Sequence, residues 1–266
     1  MNHISSVRAV PRLVSLLLSA AALVAAGPSA HAQQDDARTI LKAMSDYVSG
    51  QKTIELTFDS DIEVITPQLE KIQYTNSGEA LVSRPDRLRA HRVGGYADVA
   101  LYFDGKTASV YAKSVNGYAQ FAAPGTLDQL FEALRAGHGV ALPGADFLLS
   151  NPYAALVADV MEAKHIGRGV IDGVECEHLA FRNFDTDWQL WVDVGAKPIP
   201  RKVVITSKTI AGAPQYTFRV KSWKSGFEPP AHAFSFTPPA GTTKLDPNNL
   251  IFLDELPPEA PIGVTP

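Results

Sequence analysis

Cysteine is nearly absent from this sequence of 266 residues, and Cys176 is the single example. One cysteine cannot form an internal disulfide, so the fold must be stabilised by the packing of apolar side chains. A chain of this length can bury a full hydrophobic core within one domain. We expect Cys176 to be a small buried residue on a strand, because no neighbouring motif supports a nucleophilic role.

An excess of positive charge is also missing. The chain has 24 lysines and arginines against 28 aspartates and glutamates, which gives a net charge of −4. Domains that bind nucleic acids present a basic surface to the phosphate backbone. We therefore expect no nucleic-acid partner.

Long apolar runs are missing after the first 26 residues. The run Leu13–Ala26 is too short for a comfortable transmembrane helix. It follows Arg8 and Arg12 and precedes the small-x-small triplet Ala30-His31-Ala32, the pattern of a signal-peptidase site. No cysteine lies near this site, so we expect no lipid anchor. We predict a cleavable signal peptide over residues 1–32 and a soluble periplasmic product, with an uncleaved membrane anchor as the alternative.

Catalytic signatures are absent as well. The sequence has no G-x-S-x-G, no H-E-x-x-H and no glycine-rich dinucleotide loop. Gly105-Lys106-Thr107 matches the end of a phosphate-binding loop, but Ala100 occupies the position of its first glycine. Cys176 and His178 supply two of the four ligands that zinc needs, and a role for them beyond packing stays open. We therefore predict no enzyme activity, no cofactor and no metal, with an envelope lipid hydrolase as the weak alternative.

Strand patterns occupy most of the rest of the chain. A helix is predicted over Asp35–Gly50, where apolar residues recur every three or four positions. Alternating residues and the turn signals Asp104-Gly105, Asn116-Gly117 and Asp172-Gly173 predict a series of antiparallel strands. The predicted strands are Thr53–Ile65, Ile72–Val82, Leu88–Val93, Val99–Phe103, Ala108–Ala112, Tyr118–Phe121, Val174–Phe181, Trp188–Val194, Arg201–Thr206, Tyr216–Trp223 and Phe234–Phe236.

Between the two groups of strands, the periodicity from Pro124 to Lys164 becomes helical. A large antiparallel sheet with one apolar face must cover that face. The predicted fold is therefore mainly β with some α: a single curved antiparallel sheet, unclosed like a half-barrel. The N-terminal helix and the helical segment should cover its concave face.

Several short strings resemble the periplasmic lipoprotein-carrier superfamily (LolA/LolB-like). They are SRPDRLRA at Ser83–Ala90, the D-G-K-T hairpin within Tyr102–Phe121, and FSFTPPAGT at Phe234–Thr242. The stretches Gly173–Asp193 and Pro198–Tyr216 are similar to a branch of exported bacterial proteins of unknown function. The resemblance implies an unclosed β-barrel whose helices plug an apolar cavity. On this basis we predict a half-barrel domain over residues 33–243 with a helical lid at 124–164, and a proline-rich tail at 244–266. Within the tail, Ile251–Leu253 could add an edge strand.

The same resemblance favours a ligand-binding cavity between sheet and helices, although the candidate residues could equally be plain core. On the sheet they are Trp188, Leu190, Val192, Val203 and Ile205, and on the helical segment Leu127, Leu130, Phe131, Phe147 and Leu148. Arg87 and Arg89 are candidates for a charged rim that meets lipid phosphate or carboxylate, and a solvated face is the plainer interpretation.

These observations predict a soluble periplasmic carrier for a lipid, an acyl chain or an acylated lipoprotein, with transient membrane contact. The alternative is an envelope sensor or scaffold domain. Such a domain would bind a partner protein through a sheet edge or through the C-terminal tail.

Overall fold

The computed structural model describes residues 30–123, 125–140, 142–230, 232–248, 250 and 256. The signal-peptide prediction and the predicted edge strand at Ile251–Leu253 lie largely or wholly outside these residues. Within the described residues, twelve strands form one sheet that is not closed into a barrel.

The strands lie in the order β12-β6-β5-β4-β3-β2-β1-β11-β10-β9-β8-β7. Their bounds are β1 Thr53–Ile65, β2 Lys71–Ser83, β3 Arg87–Gly94, β4 Asp98–Phe103, β5 Thr107–Ala112, β6 Gly117–Ala122, β7 Glu162–Ile171, β8 Val174–Arg182, β9 Thr186–Asp193, β10 Pro200–Ser207, β11 Gln215–Ser225 and β12 Thr243–Lys244. All neighbouring pairs are antiparallel except β12, which pairs in parallel with β6. The fold-class prediction is confirmed.

Two predictions of local structure are wrong. The prediction of helical structure as far as Lys164 fails at its end, because β7 already begins at Glu162. The predicted strand Phe234–Phe236 does not form. Instead, Phe234 ends a turn, and Phe236 packs its ring against three tyrosines of β4, β5 and β6. A short aromatic alternation is also produced when a surface segment docks on a sheet.

The first helix, α1 (Ala30–Ser49), packs over β7, β8 and β9. Ala37, Leu41, Met44 and Val48 are fully buried, and their spacing of four, three and four residues places them on one face of the helix. We call the face of the sheet that they cover the inner face. α1 therefore covers the inner face of β7, β8 and β9. The inner face of the other strands is covered by a different element.

That cover is the helical insert, residues 127–157. It contains α2 (Leu127–Glu132), a π-helical turn (Ala133–Gly137), a 3-10 turn (Ala145–Leu148) and α3 (Pro152–Val157). Thr126 begins α2 with a capping box, because its hydroxyl accepts from the N–H of Gln129 and the Gln129 side chain accepts from the N–H of Thr126. Each short helix is stabilised mainly by packing, since isolated helices of this length do not persist in water.

The C-terminal segment turns back onto the sheet. The N–H of Thr243 donates to the carbonyl of Asn116, and the N–H of Leu245 donates to that of Tyr118. Leu245 packs at Gly117, and Leu250 is buried in the main core. The tail thus covers the β6 edge of the sheet, and the predicted tail boundary after residue 243 falls inside β12.

Candidate functional site

A cavity of about 200 Å³ lies between the inner face of the sheet and the insert. Side chains of β1, β2, β3, β4, β10 and β11 form its floor, and the insert forms its roof. Most of the lining is aliphatic or aromatic. Such a space favours apolar chains or rings over polar solutes.

The floor is built around two aromatic rings. Phe58 of β1 and Phe218 of β11 have ring centroids 4.8 Å apart with a 30° tilt. The ring of Phe58 lies across Gly78 of β2, where an added Cβ would collide with the ring and approach the carbonyl oxygen of His91 to 2.7 Å. Gly78 therefore lets the phenyl ring lie flat on the sheet, which sets the depth of the cavity.

The roof is formed by Phe131, Leu134, Phe147 and Leu148 of the insert. Three of these side chains are buried, with exposed fractions of 3% for Phe131, 0% for Leu134 and 7% for Phe147. Gly144, with a φ of 84°, precedes the 3-10 turn and lies over Phe218. The insert thus closes the cavity with apolar side chains that also belong to the main core.

Arg84 connects the sheet to this roof. Its Nη1 donates to the carbonyls of Leu148 and Leu149, at 2.6 and 3.2 Å. The N–H of Leu127 donates to the carbonyl of Pro85 at 2.9 Å. Burial lowers the pKa of Arg84, and nearby Asp128 partly offsets this effect. The turn between β2 and β3 therefore holds the insert at both its start and its middle.

One end of the cavity is polar. Arg92 and Tyr216 are among its lining residues, and no acidic residue is found among the described ones. Burial raises the pKa of the Tyr216 hydroxyl, while a hydrogen bond with Ser60 and the charge of Arg92 act in the opposite direction. The lining therefore combines an apolar body with a cationic end.

Four of the ten predicted cavity residues line this space: Val203, Phe131, Phe147 and Leu148. The other six, Trp188, Leu190, Val192, Ile205, Leu127 and Leu130, pack within or against the main core away from the cavity lining. Trp188 stacks on Phe181 at 3.9 Å, and its Nε1 donates to the Asn183 side chain at 3.2 Å. The inner face of β7, β8 and β9 is packed against α1. Alternation along a strand does not reveal which element covers its apolar face.

The two predicted rim arginines lie on the opposite face from the cavity. Leu88, Ala90 and Arg92 alternate with them along β3 and line the cavity. Arg89 pairs with Glu79 at 3.3 Å, and Arg87 lies 3.6 Å from Asp86. The geometry brings Arg92 to the cavity where Arg87 and Arg89 were expected.

Sequence reasoning missed most of the floor. Leu56 and Phe58 on β1, and Tyr216, Phe218 and Val220 on β11, line the cavity. Their alternation was visible in two predicted strands. The pairing of β1 with β11 was not visible in the sequence, because the paired residues are more than 150 positions apart.

Cys176 and His178 lie outside this site. Cys176 is fully buried, and burial together with the nearby Asp193 raises the pKa of its thiol to about 11. His178 stacks on Trp191 at 4.2 Å, with its Nε2 at 2.9 Å from Oε1 of Gln189. Among the described residues, no group of three His, Cys, Asp or Glu side chains is placed to hold a metal ion.

The fold and the cavity define a class of protein in which a helical cover lies over an unclosed antiparallel sheet, with an apolar cavity between them. The chain belongs to the family DUF2092, described as a predicted periplasmic protein, whose pattern matches residues 37–246. This match confirms the predicted relationship to exported bacterial proteins. No curated protein sequence is significantly similar to this chain.

Solved structures with a similar chain path include three at low identity. An uncharacterized conserved protein of Thermus thermophilus has 11% identity and a TM-score of 0.46, over 79% of this chain and 98% of that one. The lipoprotein LppX of Mycobacterium tuberculosis has 13% identity and a TM-score of 0.45, over 73% and 98%. In the MucA/MucB complex of Pseudomonas aeruginosa, the matching chain has 15% identity and a TM-score of 0.44, over 76% and 61%.

In the part of the chain that the structure describes, no helix combines the length and the apolar character needed to cross a bilayer.

Proposed function

We propose that this protein is a periplasmic carrier that shelters an acyl chain or a similar apolar group of an envelope lipid. The observation that carries the proposal is the apolar cavity between sheet and insert, with its aromatic floor of Phe58 and Phe218. Water is a poor solvent for acyl chains, so a carrier must replace water with apolar side chains. A signal peptide over residues 1–32 belongs to the same proposal.

The size of the cavity limits what it holds with the insert closed. A cavity of about 150 Å³ accommodates benzene, and pockets for drug-sized ligands begin near 300 Å³. At about 200 Å³, the cavity fits one ring or a short chain. Burying an eight-carbon chain would contribute about 6 kcal/mol at about 0.8 kcal/mol per methylene. A lipoprotein with several acyl chains requires the insert to move away from the sheet.

Two measurements test the proposal. Mass spectrometry of protein purified natively from the periplasm should detect a bound lipid or fatty acid. Titration with dodecanoate should show saturable binding, and the cavity-filling variant Ala90→Phe should weaken it. The variant Arg89→Phe, one residue away on the opposite face, serves as the matched control. Absence of any bound lipid together with absence of dodecanoate binding would contradict the proposal.

A second candidate is a sensor or scaffold that pairs its free sheet edge with an extended segment of a partner protein. Within the described residues, β7 pairs with β8 only, and Ile166 and Val170 are 55% and 68% exposed. A bulge at Ile166, followed by Gly167 with a φ of 126°, makes this edge irregular, as edges that avoid pairing often are.

Binding at the β7 edge can be tested by a point substitution. Truncation of the tail would also remove Leu250 from the core. Replacing Ile166 by proline should abolish recovery of a periplasmic partner if the edge is the binding site. Equal recovery of proteins by this variant and the wild type would exclude edge pairing as the function.

A further inference from the structure

We propose that the cavity selects amphiphiles with a single apolar chain and an anionic head group, and that Arg92 and Tyr216 hold the head group. This inference rests on the proposed carrier function and specifies the chemical class of its ligand. It follows from the order in which apolar and polar side chains succeed one another along the inner face.

The register of the sheet fixes that order. Arg92 lies opposite Gly78 of β2 and Val99 of β4, two rows beyond Leu88 on the same face of β3. One row further along, Ser60 and Asn76 lie opposite each other, and their exposed fractions are 0% and 5%. Along β3 the inner face therefore changes from the apolar Leu88 to the cationic Arg92. On the neighbouring strands, Phe58 shares the row of Arg92, and Phe218 lies opposite Ser60.

The distance from the apolar to the cationic residue on β3 is comparable to the length of a single-chain amphiphile. Four residues along β3, from Leu88 to Arg92, span about 13 Å at about 3.3 Å per residue. Leu88, Leu148, Arg92 and Tyr216 all line the cavity. The charge of Arg92 acts on the hydroxyl of Tyr216. A chain lying along β3 would have its methylenes over Ala90 and Leu88 and its head group beside the guanidinium of Arg92.

The charges at this end favour an anion. Arg92 is the permanently charged group among the described lining residues, and none of those residues is acidic. The nearby carboxylates are engaged on the other face of the sheet. Asp98 binds His91 at 2.7 Å and Lys113 at 3.2 Å, and Asp61 interacts with Arg219 and Lys202. The charge of Asp61 also acts on Tyr216, where it opposes the effect of Arg92.

The polar end is also held in place by the protein. Tyr216 forms a hydrogen bond with Ser60, and its hydroxyl feels the charge of Arg92. Arg92 and Tyr216 both make further interactions with protein groups. A guanidinium and a phenol hydroxyl both donate hydrogen bonds to the oxygens of a carboxylate or phosphate.

The test compares ligands that share one chain and differ in the head group. Calorimetric titrations would use dodecanoate, dodecyl phosphate, dodecanol and dodecyltrimethylammonium below their micelle concentrations. We expect the two anions to bind about tenfold more tightly than dodecanol, since charge-assisted hydrogen bonds are the stronger ones. The cation should bind more weakly than dodecanol. Comparison of the two anions distinguishes a carboxylate from a phosphate head group.

In Arg92→Gln, dodecanoate should bind no more tightly than dodecanol binds to the same variant, and Arg92→Lys should retain part of the preference for anions. Arg89→Gln is the matched control, because Arg89 lies on the same strand but on the opposite face. Thermal melting of each variant checks that it is folded.

The outcomes separate this inference from the proposed function. Equal binding of all four ligands, or an anion preference that survives in folded Arg92→Gln, would overturn the inference and leave the carrier function standing. Failure of every ligand to bind the wild-type protein would overturn both.

Discussion

Arg84 offers the sharpest test of how the insert is held over the cavity. Its Nη1 donates to two carbonyls of the insert, those of Leu148 and Leu149. Its Nε and Nη2 are buried and have no partner among the described residues. The substitution Arg84→Met keeps an unbranched apolar stem and removes the guanidinium with both of its hydrogen bonds to the insert.

The size of the effect follows from these two opposing features. Each hydrogen bond from a charged donor contributes about 1.5–3 kcal/mol, and each buried unsatisfied donor costs about 1–3 kcal/mol. The two bonds and the two unpaired nitrogens nearly cancel, so the net effect comes from the carbonyls of Leu148 and Leu149, which lose their donor in the variant. We expect Arg84→Met to destabilise the closed position of the insert by about 1–3 kcal/mol.

Hydrogen exchange measures this change directly. Amides of residues 127–157 should exchange about tenfold to a hundredfold faster in Arg84→Met, while those of β8 and β9 should be unaffected. Arg87→Met is the control, because Arg87 lies on the outer face three residues away. Unchanged exchange of the insert would refute the view that Arg84 holds it closed.

Three further outcomes follow from the packing. Gly78→Ala should destabilise the protein by about 1–3 kcal/mol in urea titrations, because the new methyl group collides with Phe58; an unchanged midpoint would contradict the floor geometry. Cys176 should resist iodoacetamide in the native protein, since a pKa of about 11 leaves about one thiolate in a thousand at pH 8, whereas urea-unfolded protein should react. Asp193→Ala should cost about 2–4 kcal/mol, because it leaves the half-buried Arg201 without its two carboxylate contacts of 2.5 and 2.8 Å. Adding Arg201→Met to that variant should restore part of the lost stability, and a strictly additive double variant would argue against a coupled pair.

The strands were predictable because most of them alternate in sequence and are joined by short turns. Thr53–Ile65 was predicted with its observed bounds. β7 was not among the predicted strands, because it is an edge strand with glycines at 167 and 169 and its first residues fell within the predicted helical segment. Residues alternate strictly along a strand only where packing constrains its side chains, and an edge strand is less constrained.

The site was less predictable because it depends on which elements meet across long separations. The sequence shows that β9 has an apolar face, but not that α1 covers it and excludes a ligand there. Alternation in the sequence places Arg87 and Arg89 on the side of their strand opposite Leu88, but it does not show which side faces the cavity. The pairing of β3 with β2 and β4 places Arg92 inside and Arg89 outside. A single alternation count from the buried Leu88 would have found the same assignment.

The most direct test of an acyl chain beneath the insert is a crystal structure of the protein with dodecanoate brominated at its terminal carbon. Anomalous scattering locates the bromine independently of the rest of the chain. We expect the bromine peak near Leu88, two rows from Arg92 on the inner face of β3. A peak confined to the outer face, or a fully closed cavity with no peak at saturating ligand, would contradict a carrier function for this cavity.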